Sequence, residues 1–275
     1  MVRVGLIGCG AIGTMLAEAI DDGTVANAEL TAVFDTYPER MKELVKRLRR
    51  RPKEYREFER FLRESGAEII VEAASQEAVK LYAEKVIASG MDILIMSVGA
   101  LLDEELLKKI KTAAESEGRR VLIPSGAIGG LDAVKAARLG GLDRVVLTTR
   151  KHPDSLKDSP HFQRVVKDPD GLKDVRVVFE GAASEAVKAF PVNVNVSAAL
   201  SLAGVGGANT VVRVVADPSV TKNIHEIEVE GRFGRMKVLL ENIRHPSNPK
   251  TSYLAVLSAI ETLRSMASRE IQIGT

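Results

Sequence analysis

Val2-Arg3-Val4-Gly5-Leu6-Ile7-Gly8-Cys9-Gly10-Ala11-Ile12-Gly13 begins as an almost unbroken apolar run and then breaks into glycines. Such a run suits a strand buried on both faces, as in a parallel sheet, better than one with a wet face. From Ala11 to Ile20, the residues Ile12, Leu16, Ala19 and Ile20 share one helical stripe that closes at Asp21-Asp22-Gly23. Strand, glycine turn and helix in that order give Gly8-x-Gly10-x-x-Gly13 a meaning the bare string lacks. Gly8 allows the tight turn, Gly10 lets a pyrophosphate approach the backbone, and Gly13 lets helix and strand close up. The amides of Ala11 and Ile12 at the helix start then meet negative charge.

Moving outward, Glu29 to Asp35 reads as a second strand and Pro38 as the opening of the next helix. Asp35 stands about twenty residues beyond the turn, where a carboxylate accepts the adenosine ribose hydroxyls and repels a 2′-phosphate. NAD is therefore the expected cofactor, and Arg40 is close enough in sequence to leave NADP possible. The alternation continues with expected strands at 68–71, 92–96 and 120–123 and helices at 76–89 and 103–117. That series predicts an α/β, Rossmann-type, doubly wound parallel sheet over residues 1–125. Cys9, inside the turn, reads as a small packing residue rather than a nucleophile.

Past Pro124 the rhythm changes. Strand-like segments at 143–150, 175–179, 210–216, 225–230 and 234–240 follow one another with fewer helices between them. They predict a second α+β domain, residues 126–247, with a mainly antiparallel sheet for substrate binding and catalysis. A helix over 182–204, broken near Pro191, interrupts the series. A last helix, from about Thr251 to Ser268, belongs to a segment, 248–275, that could complete the first domain.

Composition narrows the classes. Lys and Arg number 39 against 37 Asp and Glu, too even a balance for a nucleic-acid field. The basic run Lys46 to Arg51 is followed by acids and reads as a solvated face. One cysteine rules out an internal disulfide and a cysteine-rich zinc site, so no metal is expected. The N-terminus shows no basic and apolar leader, and no run is long enough for a bilayer; a cytoplasmic protein is the expectation. A sheet face left bare and apolar would need covering, which predicts a homo-oligomer, a dimer in the first instance.

Three strings in the second half are more specific than the glycine turn: Ser125-Gly126-Ala127-Ile128-Gly129-Gly130-Leu131-Asp132-Ala133, Phe190-Pro191-Val192-Asn193-Val194-Asn195-Val196 and Asn223-Ile224-His225-Glu226-Ile227. In this order, and with the turn, they resemble the L-aspartate dehydrogenase family. The resemblance implies oxidation of L-aspartate with NAD or NADP to iminoaspartate, then oxaloacetate and ammonia, with the imine able to feed quinolinate and hence NAD synthesis. It matches His225 to the active-site histidine. It also places Ala127, with Asn195 or Asn193, at cofactor-contacting positions, Asn195 being favoured.

The residue types agree with that chemistry. Removing hydride from an amine-bearing carbon needs a base for the ammonium proton and again for water, and a neutral imidazole serves both near pH 7. Among the four histidines, His225 begins a strand after a turn; His152, His161 and His245 read as surface groups. A dicarboxylate calls for charge-assisted donors, for which Arg150, Lys151 and Lys188 are candidates. The alternatives are another two-domain oxidoreductase of the homoserine dehydrogenase or imine and carbonyl reductase type, or a cofactor-sensing protein without turnover. The paired histidines common in dihydrodipicolinate reductases are missing.

Overall fold

The computed structural model describes residues 1–169, 171–191, 195–245, 248–268, 271 and 273, and only the backbone at 245 and 248–251. The chain divides into two compact units, one of residues 1–124 with 256–273, the other of residues 125–255. Among the described residues, no helix is long and apolar enough to cross a membrane.

The first unit alternates β1 (Val2–Ile7), α1 (Ala11–Asp21), β2 (Ala28–Phe34), α2 (Pro38–Arg47), β3 (Lys53–Tyr55), α3 (Phe58–Glu64), β4 (Ile69–Glu72), α4 (Gln76–Ala88), β5 (Asp92–Ile95), α5 (Glu104–Glu117) and β6 (Val121–Leu122). Its six strands lie in the order β3-β2-β1-β4-β5-β6, all parallel. The order reverses between β1 and β4, which opens a crevice at the carboxyl ends of the strands. β3 and α3 were not expected from the sequence. Lys53-Glu54-Tyr55 is too short and charged to read as a strand, yet Phe58 and Phe61 anchor the segment. Phe58 stacks on Tyr82 with ring centroids 4.0 Å apart, and Phe61 packs against Phe34 and Tyr55.

The second unit contains α6 (Leu131–Gly140), β7 (Leu142–Lys151), α7 (Pro160–Val165), β8 (Arg176–Ala182), α8 (Ala183–Ala189), α9 (Asn195–Ala203), β9 (Thr210–Ala216), β10 (Asn223–Gly231), β11 (Gly234–Asn242), β12 (Arg244–His245) and β13 (Asn248–Ser252). Five strands form a sheet in the order β11-β10-β7-β9-β8. It is mainly antiparallel, with one parallel pair, β7 and β9. Val145 and Leu147 of β7 and Ile227 and Val229 of β10 pack with Val134 of α6 and Leu200 of α9 in one apolar core.

The alternate positions carry ion pairs instead: Arg144 with Glu228 and Glu230, Lys237 with Glu226 and Glu228, Arg213 with Glu180. The expected bare apolar sheet face is instead largely charged, because period-two alternation puts charge at most positions where β10 and β11 turn away from the core, with Leu239 exposed among them. The last helix, α10 (Tyr253–Ala267), sends Val256, Ala259 and Leu263 into the first unit's core beside Leu16 and Ile20.

Candidate active site

In the first unit, the glycine turn joins β1 to α1. Gly8 has a φ of +97°, and a Cβ there would press on the backbone of Ala73; a Cβ on Gly13 would fall on the carbonyl oxygen of Gly8. Both glycines are thus required by the protein's own packing. Gly10 differs, since a Cβ there would meet nothing within 4 Å. Gly10 also caps α1 without a side-chain bond, so the first-turn amides, at Ala11, Ile12 and Gly13, face outward as helix starts do. Open space at Gly10 beside amides that lack intrahelical partners fits a pyrophosphate.

Asp35, at the end of β2, is 7% exposed. Its Oδ2 accepts the Cys9 amide at 2.7 Å and its Oδ1 the Tyr37 amide at 2.8 Å. A carboxylate oxygen has room for a second donor, so these bonds aim Asp35 without using up its capacity for ribose hydroxyls. Exposed Arg40 lies over the Tyr37 ring, 4.4 Å from its centroid. Cys9 is buried in the core, where burial, and then the charge of Asp35, push its thiol up to about 12; it is a packing residue.

Glu72 has no counterpart in the sequence reading. It ends β4, 1% exposed, and its oxygens accept the amides of Ala74, Ser75 and Ser97 and the Ser97 hydroxyl at 2.8–3.0 Å. One carboxylate thereby ties the loops after β4 and β5 at the carboxyl edge of the sheet. Burial raises its pKa against the pull of those bonds.

In the second unit, the buried face of β7 runs Val145, Leu147, Thr149, Lys151, and that of β10 runs Val229, Ile227, His225, Asn223. At one end the apolar pattern becomes polar. His225 faces Thr149 across the antiparallel pair, and its Nδ1 lies 3.1 Å from the Thr149 Oγ1. Next to this pair, Asn223 Nδ2 donates to Ser252 Oγ at 3.2 Å. Asn242, opposite Asn223 on β11, donates from Nδ2 to the Ala127 carbonyl at 2.8 Å. A Cβ on Gly126 would sit 3.8 Å from Val196, the neighbour of Asn195 at the start of α9. Ser197 lines a small cavity with Thr149 and Lys151. Ala127, Asn195, Lys151 and His225 are therefore gathered at one end of the unit, while Asn193 lies outside the described residues.

Burial lowers the His225 imidazole to about 3, with the charge of Lys151 as the second cause. Lys151, 4% exposed, is lowered to about 8 by burial and then by Arg244. The histidine is accordingly neutral, and the lysine carries its charge through neutral pH. Arg150 alternates away from this group and pairs with Asp217 at 2.8 Å. Lys188 is exposed on α8. His152 accepts the Asp154 amide. His161, expected at the surface, packs between Phe179 and Phe190 and reaches the Val178 carbonyl, because α7 carries it against β8. Nothing beyond the backbone is described for His245.

Thr149, Asn223 and Glu72 escaped the sequence reading as site residues. A polar pair, Thr149 and Lys151, on the apolar side of an alternating strand was the available signal. Among the described residues, no group of His, Cys, Asp and Glu could hold a metal ion.

Known proteins resemble the chain along its whole length. The family model "Aspartate dehydrogenase, C-terminal" matches residues 132–266, and "Homoserine dehydrogenase, NAD binding domain" matches residues 8–124. The L-aspartate dehydrogenase of Methanosarcina barkeri is 45% identical over 275 residues, covering 100% of both chains. That of Methanocaldococcus jannaschii is 40% identical over the same span and coverage. The crystal structure of aspartate dehydrogenase from Thermotoga maritima superposes with a TM-score of 0.77 at 30% identity, covering 99% of this chain and 100% of that one.

Proposed function

The chain belongs to the L-aspartate dehydrogenase family, and from that premise we propose that it oxidises L-aspartate to the imine, which hydrolyses to oxaloacetate and ammonia. The observation that carries this reading is the neutral, buried His225 with Nδ1 bonded to Thr149. In the tautomer with Nδ1–H donating to Thr149 Oγ1, Nε2 holds the lone pair and acts as the base. It takes a proton from the substrate ammonium. When bound, the nicotinamide supplies the acceptor for hydride from Cα. As that hydride leaves, the amine lone pair forms the C=N bond. The base, having released its proton, then takes one from water as oxygen bonds to Cα and returns it to the nitrogen, and the C–N bond breaks with ammonia as the leaving group while the new hydroxyl loses its proton and the C=O bond forms. A base at about 3 is weak until substrate arrives; carboxylates entering near it oppose the charge of Lys151 and raise its proton affinity.

The cofactor is a nicotinamide dinucleotide, and Gly8, Gly10, Ala11, Ile12, Gly13 and Asp35 are its proposed contacts in the first unit. NAD is preferred on the strength of Asp35. The imine, as the chain's immediate product, suits a role in making NAD. A homodimer finds its support in exposed Leu239 and Val177, and sedimentation at micromolar protein tests it.

Mixing the purified protein with L-aspartate and NAD and following absorbance of the reduced cofactor tests the whole reading, with His225→Ala as control. No reduction with aspartate, or unchanged activity in the variant, overturns it. The homoserine dehydrogenase match over residues 8–124 favours a second reading for the first unit alone, and L-homoserine in the same assay decides it.

A further inference from the structure

A buried carboxylate needs strong partners, and Glu72, 1% exposed at the end of β4, finds four neutral donors. Its Oε1 accepts the Ala74 amide at 2.8 Å and the Ser75 amide and Ser97 hydroxyl at 2.9 Å, and its Oε2 accepts the Ser97 amide at 3.0 Å. Ala74 and Ser75 are themselves exposed, so water could satisfy their amides without any buried charge. Stability alone gives little reason to desolvate a carboxylate for them. What the carboxylate does accomplish is to fix two loops to each other: residues 73–75, between β4 and α4, and the segment that starts at Ser97 after β5.

Those loops border the place where this sheet receives a ligand. Strand order reverses between β1 and β4, and a dinucleotide spans the crevice at that reversal. The glycine turn after β1 takes the pyrophosphate and Asp35 after β2 the adenosine ribose, which leaves the side of β4 and β5 for the other nucleotide half. The first loop also abuts the turn directly. A Cβ on Gly8 would fall 2.7–2.8 Å from the backbone of Ala73 and Ala74, and the Ala73 amide donates to the Ile7 carbonyl at 2.8 Å.

We propose that Glu72 is a positioning residue for the nicotinamide half of the cofactor: its carboxylate holds the loops after β4 and β5 in the arrangement that receives the nicotinamide and its ribose. The adenosine half is gripped independently, by the glycine turn and Asp35. This rests on the reading of the turn as a dinucleotide grip.

NADH and ADP separate the two halves, since ADP carries the adenosine and both phosphates but no nicotinamide. Glu72→Gln keeps the side chain's shape and turns an NH2 group toward donors. Titrated calorimetrically into that variant, NADH is expected to bind about tenfold more weakly than to the wild type, the effect of one charge-assisted bond. ADP affinity is expected to stay within about twofold. Ser97→Ala, which removes one of the four bonds and leaves the carboxylate, is expected to weaken NADH about threefold, again without moving ADP, and serves if the glutamine variant fails to fold. NADH affinity within about twofold of the wild type in the folded variants overturns the proposal. So does a parallel loss of ADP affinity, which marks a general loosening of the unit. A wild type that binds ADP as tightly as NADH defeats the proposal and leaves the grip standing, whereas a wild type that binds neither defeats the dinucleotide reading itself.

Discussion

Thr149 Oγ1 lies 3.1 Å from His225 Nδ1, across a register that pairs the two residues directly on neighbouring antiparallel strands. The backbone ladder holds both ends of this bond, so the imidazole's orientation is set by the sheet rather than by a loop. Removing the hydroxyl in Thr149→Val should lower kcat about tenfold, the value of one hydrogen bond, and Thr149→Ser should restore most of it. A shift of the kcat pH profile in the valine variant marks a tautomer effect. Loss of melting temperature with an unchanged profile would reduce Thr149 to a packing role.

Lys151 predicts the pH dependence of carboxylate binding. Its ammonium is lowered to about 8 from 10.5, and its titratable and charged neighbours include His225, neutral throughout this range, and Arg244, with exposed Asp154 beyond. Protonated below about 8, the lysine attracts a carboxylate; as pH rises through that value the charge disappears. Affinity for succinate, a dicarboxylate with no amine to titrate there, should fall above pH 8, and Lys151→Arg should abolish the fall. A flat profile in the wild type removes Lys151 from the site.

His225 makes a separate claim on acid stability. Its folded value of about 3 lies below the ordinary 6.5, so between those limits the unfolded chain binds a proton that the folded one does not. Stability therefore drops as pH falls from 6.5 toward 3. Denaturant titrations of the wild type and His225→Gln should show a shallower acid loss in the variant; parallel curves would mean that the ring titrates normally.

The two kinds of glycine in the turn are separable by experiment. Gly13→Ala puts a methyl group on the Gly8 carbonyl and should cost about 1–3 kcal/mol in denaturant titrations. Gly10→Ala meets no protein atom within 4 Å, so the apo protein should melt like the wild type while NAD binds about tenfold more weakly or worse. Equal NAD affinity in Gly10→Ala would show that the pyrophosphate lies elsewhere.

Asp35 predicts cofactor choice. Asp35→Ser removes the charge facing a 2′-phosphate and leaves Arg40, stacked on Tyr37, to attract one. The ratio of NADP to NAD affinity should rise about tenfold, from loss of a like-charge contact, as read by fluorescence titration of the reduced cofactors. An unchanged ratio would place the ribose beyond the reach of this carboxylate.

The legible parts of the molecule were those whose signal is local. β1, α1 and β2 announce themselves through apolar period and glycine, and β9 begins and ends at Thr210 and Ala216 as read. Pairing is not local: nothing within β7 or β9 says that they run parallel. The site divides in the same way. Gly8, Asp35 and His225 stand in recognisable strings, whereas Thr149 gains its role only from the register opposite His225. Glu72 gains its own from two loops that meet at its carboxylate only once β4 and β5 lie side by side. β3 and α3 were hidden because the aromatic residues that hold them are spaced among charges and find partners, such as Tyr82, far along the chain.

Helix α10 has a consequence for how the protein is made. Val256, Ala259 and Leu263 fill the core that β1 and α1 begin, so the second unit is an insertion between two parts of the first. A chain emerging from the ribosome exposes its nucleotide-binding half early but closes that half's apolar surface last. A fragment ending at residue 124 should accordingly bind a hydrophobic dye that the whole chain excludes, and addition of a peptide spanning 253–268 should suppress that binding. Synthesis in the cell thus leaves the first-built sheet waiting, for the time needed to translate the whole second unit, on the final turns of the polypeptide.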